Sequence, residues 1–292
     1  MSRAVVIVNR HAGVQYMDGL IRLALQQAGI DADIREPSSP SQLRETARAA
    51  ARNGAAAVIA SGGDGTVATV AGEVAEADGI LGVLPMGTLN HFARDLGIPS
   101  DLREAARVIA RGNTRRVDMG DVNGRIFLNN CSIGLYPRMV RRRESQRQRL
   151  GRGKWYAMAV AALSLFRRYP LVHLTLEVEG QIIRCKTPLV FIGNNRYETD
   201  LLNLGRRTAL DRGELSVYLA KATGRLDLLL LALRMLVGRL KQARDFENRV
   251  VTQLTIETRK RRVRIACDGE VVRMHPPLVC RVRPGALKVL AP

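Results

Sequence analysis

Two short glycine-containing segments carry the residues that are best suited to chemistry. The first, SGGDGTV at 61–67, surrounds one carboxylate, Asp64, with three glycines and two small hydroxyl residues. Glycines let a ligand approach the main chain closely, and a helix that begins after such a turn offers N–H groups to phosphate. Asp64 adds a hard oxygen ligand, which suits a Mg²⁺ ion that bridges phosphates. The segment therefore predicts a phosphate site, although a plain glycine turn with an N-capping acid would have the same composition.

The second segment, LGVLPMGTLNHFARDLGIP at 81–99, repeats this order. An apolar run leads into Gly87 and Thr88, and a helical pattern follows. Two strand ends that each deliver a small-residue loop and a helix N-terminus can form opposite walls of one phosphate cleft. The Walker GxxxxGK[ST] motif, a GxGxxG after the first strand and the protein-kinase HRD and DFG motifs are all absent from the sequence. Those nucleotide-binding classes are therefore disfavoured.

The first third of the chain alternates strand and helix patterns, which must position these segments. Strand patterns occupy 4–9, 31–36, 55–60 and 80–85, and helical spacing occupies 17–28, 41–54 and 66–77. This βαβα order predicts a doubly wound, Rossmann-like domain with a mostly parallel sheet and helices on both faces. Ligands of such sheets bind at the carboxyl ends of the strands, where the glycine segment lies.

The pattern changes near residue 115 to short alternating strands with polar turns. Asn123-Gly124 and Asp268-Gly269 are hairpin-turn signals within this part of the chain. Short strands of this kind predict an antiparallel β-sandwich. We therefore expect an α/β nucleotide-binding domain at 1–120 and a β-sandwich domain at 121–292, with the last residues returning to the first domain.

The net charge of +19 suggests an acidic partner, although an arginine-rich composition also follows from a GC-rich genome. Basic residues concentrate at 138–154 and 259–264, and a leucine-rich helical pattern at 226–240 carries interspersed arginines. Each basic segment alone is consistent with a solvated face, and the helix with a cover for the sandwich core. Taken together, the two basic segments and the helix favour an anionic membrane surface as the partner. Aromatic residues make up only 4% of the chain and do not interleave with the basic runs, so nucleic acid is not expected as a partner.

The N-terminal residues are interpreted as a first strand and not as a signal peptide. The longest apolar stretches are shorter than the ~20 residues that a membrane-spanning helix needs. We therefore expect a cytoplasmic protein that is at most peripheral at the inner face of a membrane. The four cysteines, Cys131, Cys185, Cys267 and Cys280, form no CxxC pair, so buried thiols are expected and a zinc site is not.

Three ordered motifs, GGDGT, PMGTLNHFARDLGIP and DGE at 268–270, resemble the diacylglycerol kinase catalytic family, which includes bacterial lipid kinases, sphingosine kinases and ceramide kinases. VNRHAG near the start is similar to the NPxxG of that family, so the resemblance spans most of the chain. It implies an ATP-dependent lipid kinase that uses Mg²⁺. It also implies that Asp64 engages the metal ion. The residues that it assigns to ATP are Asn9, Gly62, Gly63, Asp64, Gly65, Thr66, Gly87 and Thr88.

The resemblance assigns the general base to Glu270, the last residue of DGE. This carboxylate would take the proton from a lipid hydroxyl as the oxygen attacks the γ-phosphate, a contribution typically worth ~10²–10⁴ in rate. Glu270 would act together with Asp64. From its position beside a turn alone, Glu270 is also consistent with a solvated acid of a hairpin.

Two departures from the family pattern concern metal ligands. Many members have Asp where this chain has His91, and imidazole is a poorer Mg²⁺ ligand than carboxylate. Asp95, one helical turn further on, can substitute for it, and His91 can also be purely structural. In TALDRGELSV at 208–217, Arg212 stands where the family usually has a metal-binding Asp, and Asp211 precedes it. The candidate metal ligands are therefore Asp64, His91, Asp95 and Asp211.

Other functions also fit parts of the sequence. An NAD kinase-like phosphotransferase also uses GGDGT, and a catalytically degenerate member that binds lipid or nucleotide would account for His91 and Arg212. A nucleic-acid binder is suggested by charge alone. The apolar residues of an acceptor pocket carry no readable code, so the identity of the lipid is not predicted. The oligomeric state is not predicted either.

Overall fold

The computed structural model describes residues 3–9, 18–134, 171–178, 180–197, 207, 209–221, 224, 227 and 246–292. Its helices are α1 (Asp18–Gln27), α2 (Pro40–Arg52), α3 (Asp64–Glu76), α4 (His91–Asp95) and α5 (Leu102–Arg111). The strands up to the middle of the chain are β1 (Ala4–Val8), β2 (Ala32–Arg35), β3 (Val58–Gly62), β4 (Ile80–Pro85), β5 (Thr114–Val122), β6 (Arg125–Phe127), β7 (Asn130–Gly134) and β8 (Val172–Val178). The remaining strands are β9 (Gln181–Thr187), β10 (Leu189–Asn194), β11 (Leu215–Ala220), β12 (Phe246–Val251), β13 (Gln253–Glu257), β14 (Val263–Cys267), β15 (Glu270–Met274) and β16 (Leu278–Leu290).

These elements divide between two compact units. The first comprises Met1–Met119, Thr208–Gly213 and Arg283–Pro292, and the second comprises Gly120–Arg207 and Glu214–Val282. The strand β16 therefore contributes its first residues to the second unit and its last residues to the first. The basic segment 138–154 and nearly all of the leucine-rich segment 226–240 lie outside the described residues. No helix among the described residues is long and apolar enough to cross a membrane.

The first unit is a doubly wound α/β domain, as the alternating sequence pattern predicts. Its strands lie in the order β2-β1-β3-β4-β16, and every neighbouring pair is parallel. The chain leaves β1 towards β2 on one side and returns to β3 on the other, so the direction of winding reverses between β1 and β3. In an open parallel sheet, the carboxyl ends of the strands at such a reversal border the ligand crevice.

Helix packing covers this sheet on both faces. α2 packs on α3, and α1 packs on α5. α5 is capped at its start by Asp101, whose carboxylate accepts hydrogen bonds from the main-chain N–H groups of Arg103 and Glu104, and at its end by Gly112 in the left-handed conformation. Both are common helix-terminal signals. The strands between the helices are fully buried at β3 and nearly so at β4, which accounts for their continuous apolar sequence.

The second unit is an antiparallel β-sandwich, again as predicted. One sheet has the order β12-β11-β10-β7-β14-β15, and the other contains β8, β9, β13 and the start of β16. Ile133 and Val217 from the first sheet lie in the same buried cluster as Leu176, Ile256 and the other core residues of the second sheet. The predicted hairpin turns are present at both sites. Asn123-Gly124 has φ values of 49° and 83°, and Asp268-Gly269 has φ values of 46° and 85°.

Candidate functional site

The carboxyl ends of β1 and β3 bring the first set of predicted site residues together. The main-chain N–H of Asn9 donates to the carbonyl oxygen of Ser61 at 3.1 Å, which extends the pairing of the two strands. The side-chain amide Nδ2 of Asn9 donates to the hydroxyl Oγ1 of Thr66 at 2.9 Å. Asn9 and Thr66 thus meet at the reversal point of the sheet, although 57 residues separate them.

The two glycine segments touch through their backbones. The N–H of Met86 donates to the carbonyl oxygen of Gly62 at 3.0 Å. A Cβ atom at Gly87 would lie 2.6 Å from the Cα of Gly63, and one at Gly62 would lie 2.7 Å from the Cβ of Thr66. Both distances are far below van der Waals contact. At Gly62 and Gly87, the glycines are therefore required by close packing as well as being permissive for a ligand.

The start of α3 is an uncapped helix N-terminus beside these glycines. The N-cap residue is Gly63, which has extended backbone angles and no side chain to bind the first amides of the helix. Asp64 and Gly65 form the first turn, where Thr69 Oγ1 donates to the carbonyl oxygen of Gly65 at 2.9 Å. Such a terminus carries partial positive charge and suits an anion.

Asn90 fixes the second loop. Its Oδ1 accepts from the N–H of Gly87 and its Nδ2 donates to the carbonyl oxygen of Gly87, both at 2.8 Å. Asn90 itself is left-handed, with φ 47°, a conformation that Asn tolerates better than most residues. Thr88, between them in sequence, is exposed. Sequence reasoning did not single out Asn90, and the pairing of Gly-Thr-x-Asn with a helix start is the signal that could have found it.

Asp64 links the two segments through α4. Its Oδ1 accepts from the main-chain N–H of Phe92 at 3.1 Å. His91, which precedes Phe92, lies 3.1 Å from Arg94 through its Nδ1 atom. Asp95 ends the same short helix and is half-buried. Among the described residues, no group of three or more His, Cys, Asp or Glu side chains could by itself hold a metal ion.

The donor chemistry nevertheless fits Mg²⁺ at Asp64. This ion usually takes one or two carboxylates and completes its shell with substrate phosphates and water. A single carboxylate beside a helix N-terminus that suits an anion matches that mode, so a cluster of protein ligands is not needed.

Asp211 lies elsewhere in the first unit. Its Oδ2 accepts from Arg115 Nη2 at 3.0 Å, and both side chains are about half exposed. The nearby buried carboxylate is Asp118, which accepts from the N–H of Gly213 at 2.7 Å and from that of Gly285 at 2.8 Å. Asp118 thus fastens two late segments of the chain to the first unit. Sequence reasoning did not find this residue, because its partners lie far away along the chain.

Glu270 is the first residue of β15 in the second unit, directly after the Asp268-Gly269 turn. Its Oε2 accepts from Arg125 Nη2 at 2.5 Å. The Arg125 side chain is 22% exposed and the Glu270 side chain 51% exposed. The Glu270 carboxylate therefore faces solvent on one side and a guanidinium on the other.

Asp268 anchors the turn that carries Glu270. Its carboxylate accepts hydrogen bonds from the main-chain N–H groups of Leu128 at 2.7 Å, Asn129 at 2.9 Å and Asn130 at 3.1 Å. The same connection between β6 and β7 is bound by the buried Arg207, whose guanidinium donates to the carbonyl oxygen of Leu128 at 2.6 Å. The turn before Glu270 is therefore attached to a segment that is itself held by charge-assisted hydrogen bonds, which are stronger than neutral ones.

Each of the two domains resembles a known protein family. Residues 3–122 match the family model described as "Diacylglycerol kinase catalytic domain", and residues 130–291 match "YegS C-terminal NAD kinase beta sandwich-like domain". The diacylglycerol kinase of Bacillus subtilis (strain 168) is 27% identical over 245 residues, which are 82% of this chain and 80% of that protein. The diacylglycerol kinase of Staphylococcus aureus (strain JH9) is 27% identical over 233 residues, 77% of this chain and 73% of that protein.

Among solved structures, the crystal structure of a diacylglycerol kinase from Bacillus anthracis str. Sterne superposes with a TM-score of 0.71 at 20% identity. The match covers 100% of this chain and 97% of that one, so the two proteins share this two-domain fold.

These findings define a two-domain protein that joins a doubly wound α/β domain to an antiparallel sandwich. The chain belongs to the diacylglycerol kinase catalytic family and carries the YegS-type C-terminal domain. The enzyme class that this membership supports is lipid kinase.

Proposed function

We propose that this protein is an ATP-dependent lipid kinase that transfers the γ-phosphate to a hydroxyl of a diacylglycerol-like lipid. The observation that carries this proposal is the contact between the two glycine segments at the carboxyl ends of β3 and β4, where Gly63 and Gly87 approach backbone to backbone. In a member of this family, such a contact forms one continuous surface of main-chain groups beside a helix N-terminus. That surface suits a polyphosphate.

The first unit would bind ATP. The amides at the start of α3, from Asp64 to Thr66, would donate to phosphate oxygens, as would main-chain groups at Gly87 and Thr88. The hydrogen bond from Asn9 to Thr66 would hold the orientation of both side chains on the nucleotide. The glycines Gly62, Gly63 and Gly65 would keep side chains away from the phosphates.

Asp64 is the residue that would hold Mg²⁺. Asp95 and His91 are further candidates on α4, the helix whose Phe92 N–H donates to the Asp64 carboxylate. When bound, Mg²⁺ neutralises charge on the phosphates that the reaction transfers. Asp211 is a weaker candidate, because its carboxylate is paired with Arg115.

Glu270 would act as the general base on the acceptor. Its carboxylate would accept the proton of the lipid hydroxyl while the lipid oxygen forms its bond to the γ-phosphorus and the bond to ADP breaks. The acceptor would be bound by the sandwich domain, 121–292, and the nucleotide by the α/β domain, 1–120. We further propose that the protein works from the cytoplasm, peripherally at an anionic membrane surface, where its substrate resides.

A transfer assay with labelled ATP and Mg²⁺ tests this function. The acceptors would be diacylglycerol, phosphatidylglycerol and a sphingoid base in mixed micelles, with NAD as the control acceptor. We expect label in a lipid product, and at least a hundredfold loss in a folded Glu270→Gln variant, within the ~10²–10⁴ that a positioned base contributes. Transfer to NAD alone would favour an NAD kinase-like activity, and transfer to no acceptor would favour a degenerate binding protein.

A further inference from the structure

A concentration of basic side chains lies on the second unit, close to Glu270 along the chain. It occupies the connection from β13 to β14 and the outward side of the β14–β15 hairpin. We call it the basic hairpin, and it consists of Arg259, Lys260, Arg261, Arg262, Arg264 and Arg273. All six side chains are exposed.

The part of the chain that the structure describes supplies no acid to neutralise the basic hairpin. No ion pair among the described residues involves any of the six. Arg262 Nε donates a hydrogen bond to the ring Nε2 of His275 at 3.1 Å. Elsewhere in the chain, exposed arginines such as Arg48 and Arg3 pair with Glu73 and Asp31.

The strand register places two of these charges directly against each other. Arg264 of β14 lies opposite Arg273 of β15 in the antiparallel pair. Like charges in directly opposite positions destabilise a sheet. The arrangement therefore works against the stability of the isolated fold, and an external anionic surface would relieve the repulsion.

We propose that the basic hairpin is the surface by which this protein docks on an anionic phospholipid bilayer. The choice of a membrane rests on the proposed lipid-kinase function. It is supported by the absence of any aromatic side chain between Thr258 and His275, because single-stranded nucleic acids are usually bound with aromatic stacking. Each basic residue close to such a surface contributes favourably to binding, and the attraction falls off within a Debye length.

The hairpin also connects this surface to the proposed base. Arg273 follows Glu270 by three residues on the same strand, a distance of about 10 Å at ~3.4 Å per residue. Side chains alternate between the two faces of a strand, so Arg273 and Glu270 project from opposite faces of β15. The docking surface and the proposed base are therefore neighbours along one strand without sharing a face, and a substitution at Arg273 leaves Glu270 in place.

Vesicle sedimentation without ATP tests the docking surface. The wild-type protein would be mixed with vesicles of equal parts phosphatidylcholine and phosphatidylglycerol, and with vesicles of phosphatidylcholine alone. We expect binding to the first type only, reduced by added salt. The double variants R264Q/R273Q and K260Q/R261Q should each bind roughly tenfold to thirtyfold more weakly, as the loss of two charges at such a surface predicts. The matched control is R103Q/R107Q, which removes two exposed charges from α5.

Equal binding of all variants, or the same loss in the α5 control, would overturn the proposal. So would tight binding to duplex DNA that is lost in the hairpin variants while vesicle binding persists. Thermal unfolding checks the fold, and R264Q/R273Q should be at least as stable as the wild type because the opposed charges are gone.

A kinase assay on a short-chain diacylglycerol dissolved as monomers separates this proposal from the proposed function. The hairpin variants should retain activity on that soluble acceptor. A wild-type protein that binds the anionic vesicles but phosphorylates no acceptor would remove the kinase function and leave the docking surface standing.

Discussion

Arg125 and Glu270 form an ion pair across two strands of the sandwich, with the guanidinium Nη2 donating to the carboxylate Oε2 at 2.5 Å. They lie 145 residues apart in sequence. A planar guanidinium restricts the direction of the carboxylate more than a flexible ammonium does. If Glu270 is the general base, Arg125 positions it and does not itself need to touch the substrate.

Replacing Arg125 by Ala should lower kcat by roughly tenfold to a hundredfold, because a displacement of ~1 Å at a reacting group can cost ~10²-fold. The KM for ATP should stay unchanged, since ATP is assigned to the other unit. Arg125→Lys should recover part of the activity. Steady-state kinetics with both substrates varied would measure this. The matched control is Arg249→Ala, which removes an arginine paired with Glu247 in the same unit. An unchanged kcat in Arg125→Ala would refute the positioning role.

Asp268→Asn should destabilise the protein. The substitution removes the charge from a carboxylate that accepts three main-chain hydrogen bonds. Hydrogen bonds to charged groups contribute ~1.5–3 kcal/mol, so we expect the free energy of unfolding to fall by about that amount. Chemical denaturation would measure it. Asp31→Asn is the control, because its exposed ion pair with Arg3 should contribute little. Equal effects of the two variants would contradict the anchoring role.

Gly87→Ala should impair both folding and ATP binding, since the added Cβ would lie 2.6 Å from the Cα of Gly63, a backbone atom that cannot rotate away. Overpacking of this kind costs ~1–3 kcal/mol. Gly19→Ala on α1 is the control, because nothing lies within 4 Å of its added Cβ. That variant should be slightly more stable than the wild type, as Ala favours a helix. Thermal unfolding with and without ATP would compare the two variants with the wild type. A Gly87→Ala protein that unfolds at the wild-type temperature and binds ATP as the wild type does would show that the two loops do not pack as described.

Cysteine reactivity should follow burial. Burial raises the pKa of Cys131, and the neighbouring Cys267 thiol, whose sulfur lies 3.1 Å away, raises it further. Burial also raises the pKa of Cys280. Because the thiolate is the reactive form, iodoacetamide at pH 8 should label the half-buried Cys185 first and the other thiols only after unfolding. Mass spectrometry of the native and denatured protein would show the order. Rapid labelling of Cys131 in the native state would contradict it.

Much of the fold was predictable because its signals are local. The alternation of apolar runs with helical spacing indicates the parallel sheet, and the strand at 80–85 has the predicted bounds. The third strand is displaced from the predicted 55–60 to Val58–Gly62. Ala55–Ala57 are poor strand formers, whereas Ser61 and Gly62 pair with β4, a partner that the local sequence does not reveal.

The candidate site was predictable only where a motif is contiguous. Gly62 to Thr66 and Gly87 are recognisable from short segments, and so is Glu270 in its turn. Asp118, Arg125 and Arg207 are single polar residues within strand-like sequence or beside it. Their roles depend on partners about 80 to 170 residues away. No periodicity or spacing encodes such partners, so only the folded structure reveals them.

β16 runs from Leu278 to Leu290 and ends in the α/β unit beside β4. The α/β domain of this enzyme is therefore not encoded by one continuous part of its gene. A fragment that stops at residue 120 would encode a sheet without its last parallel strand, and a deletion of residues 283–292 would damage the domain that residues 1–119 form. During synthesis on the ribosome, the first domain to emerge must therefore wait for residues 283–292 before it can be completed.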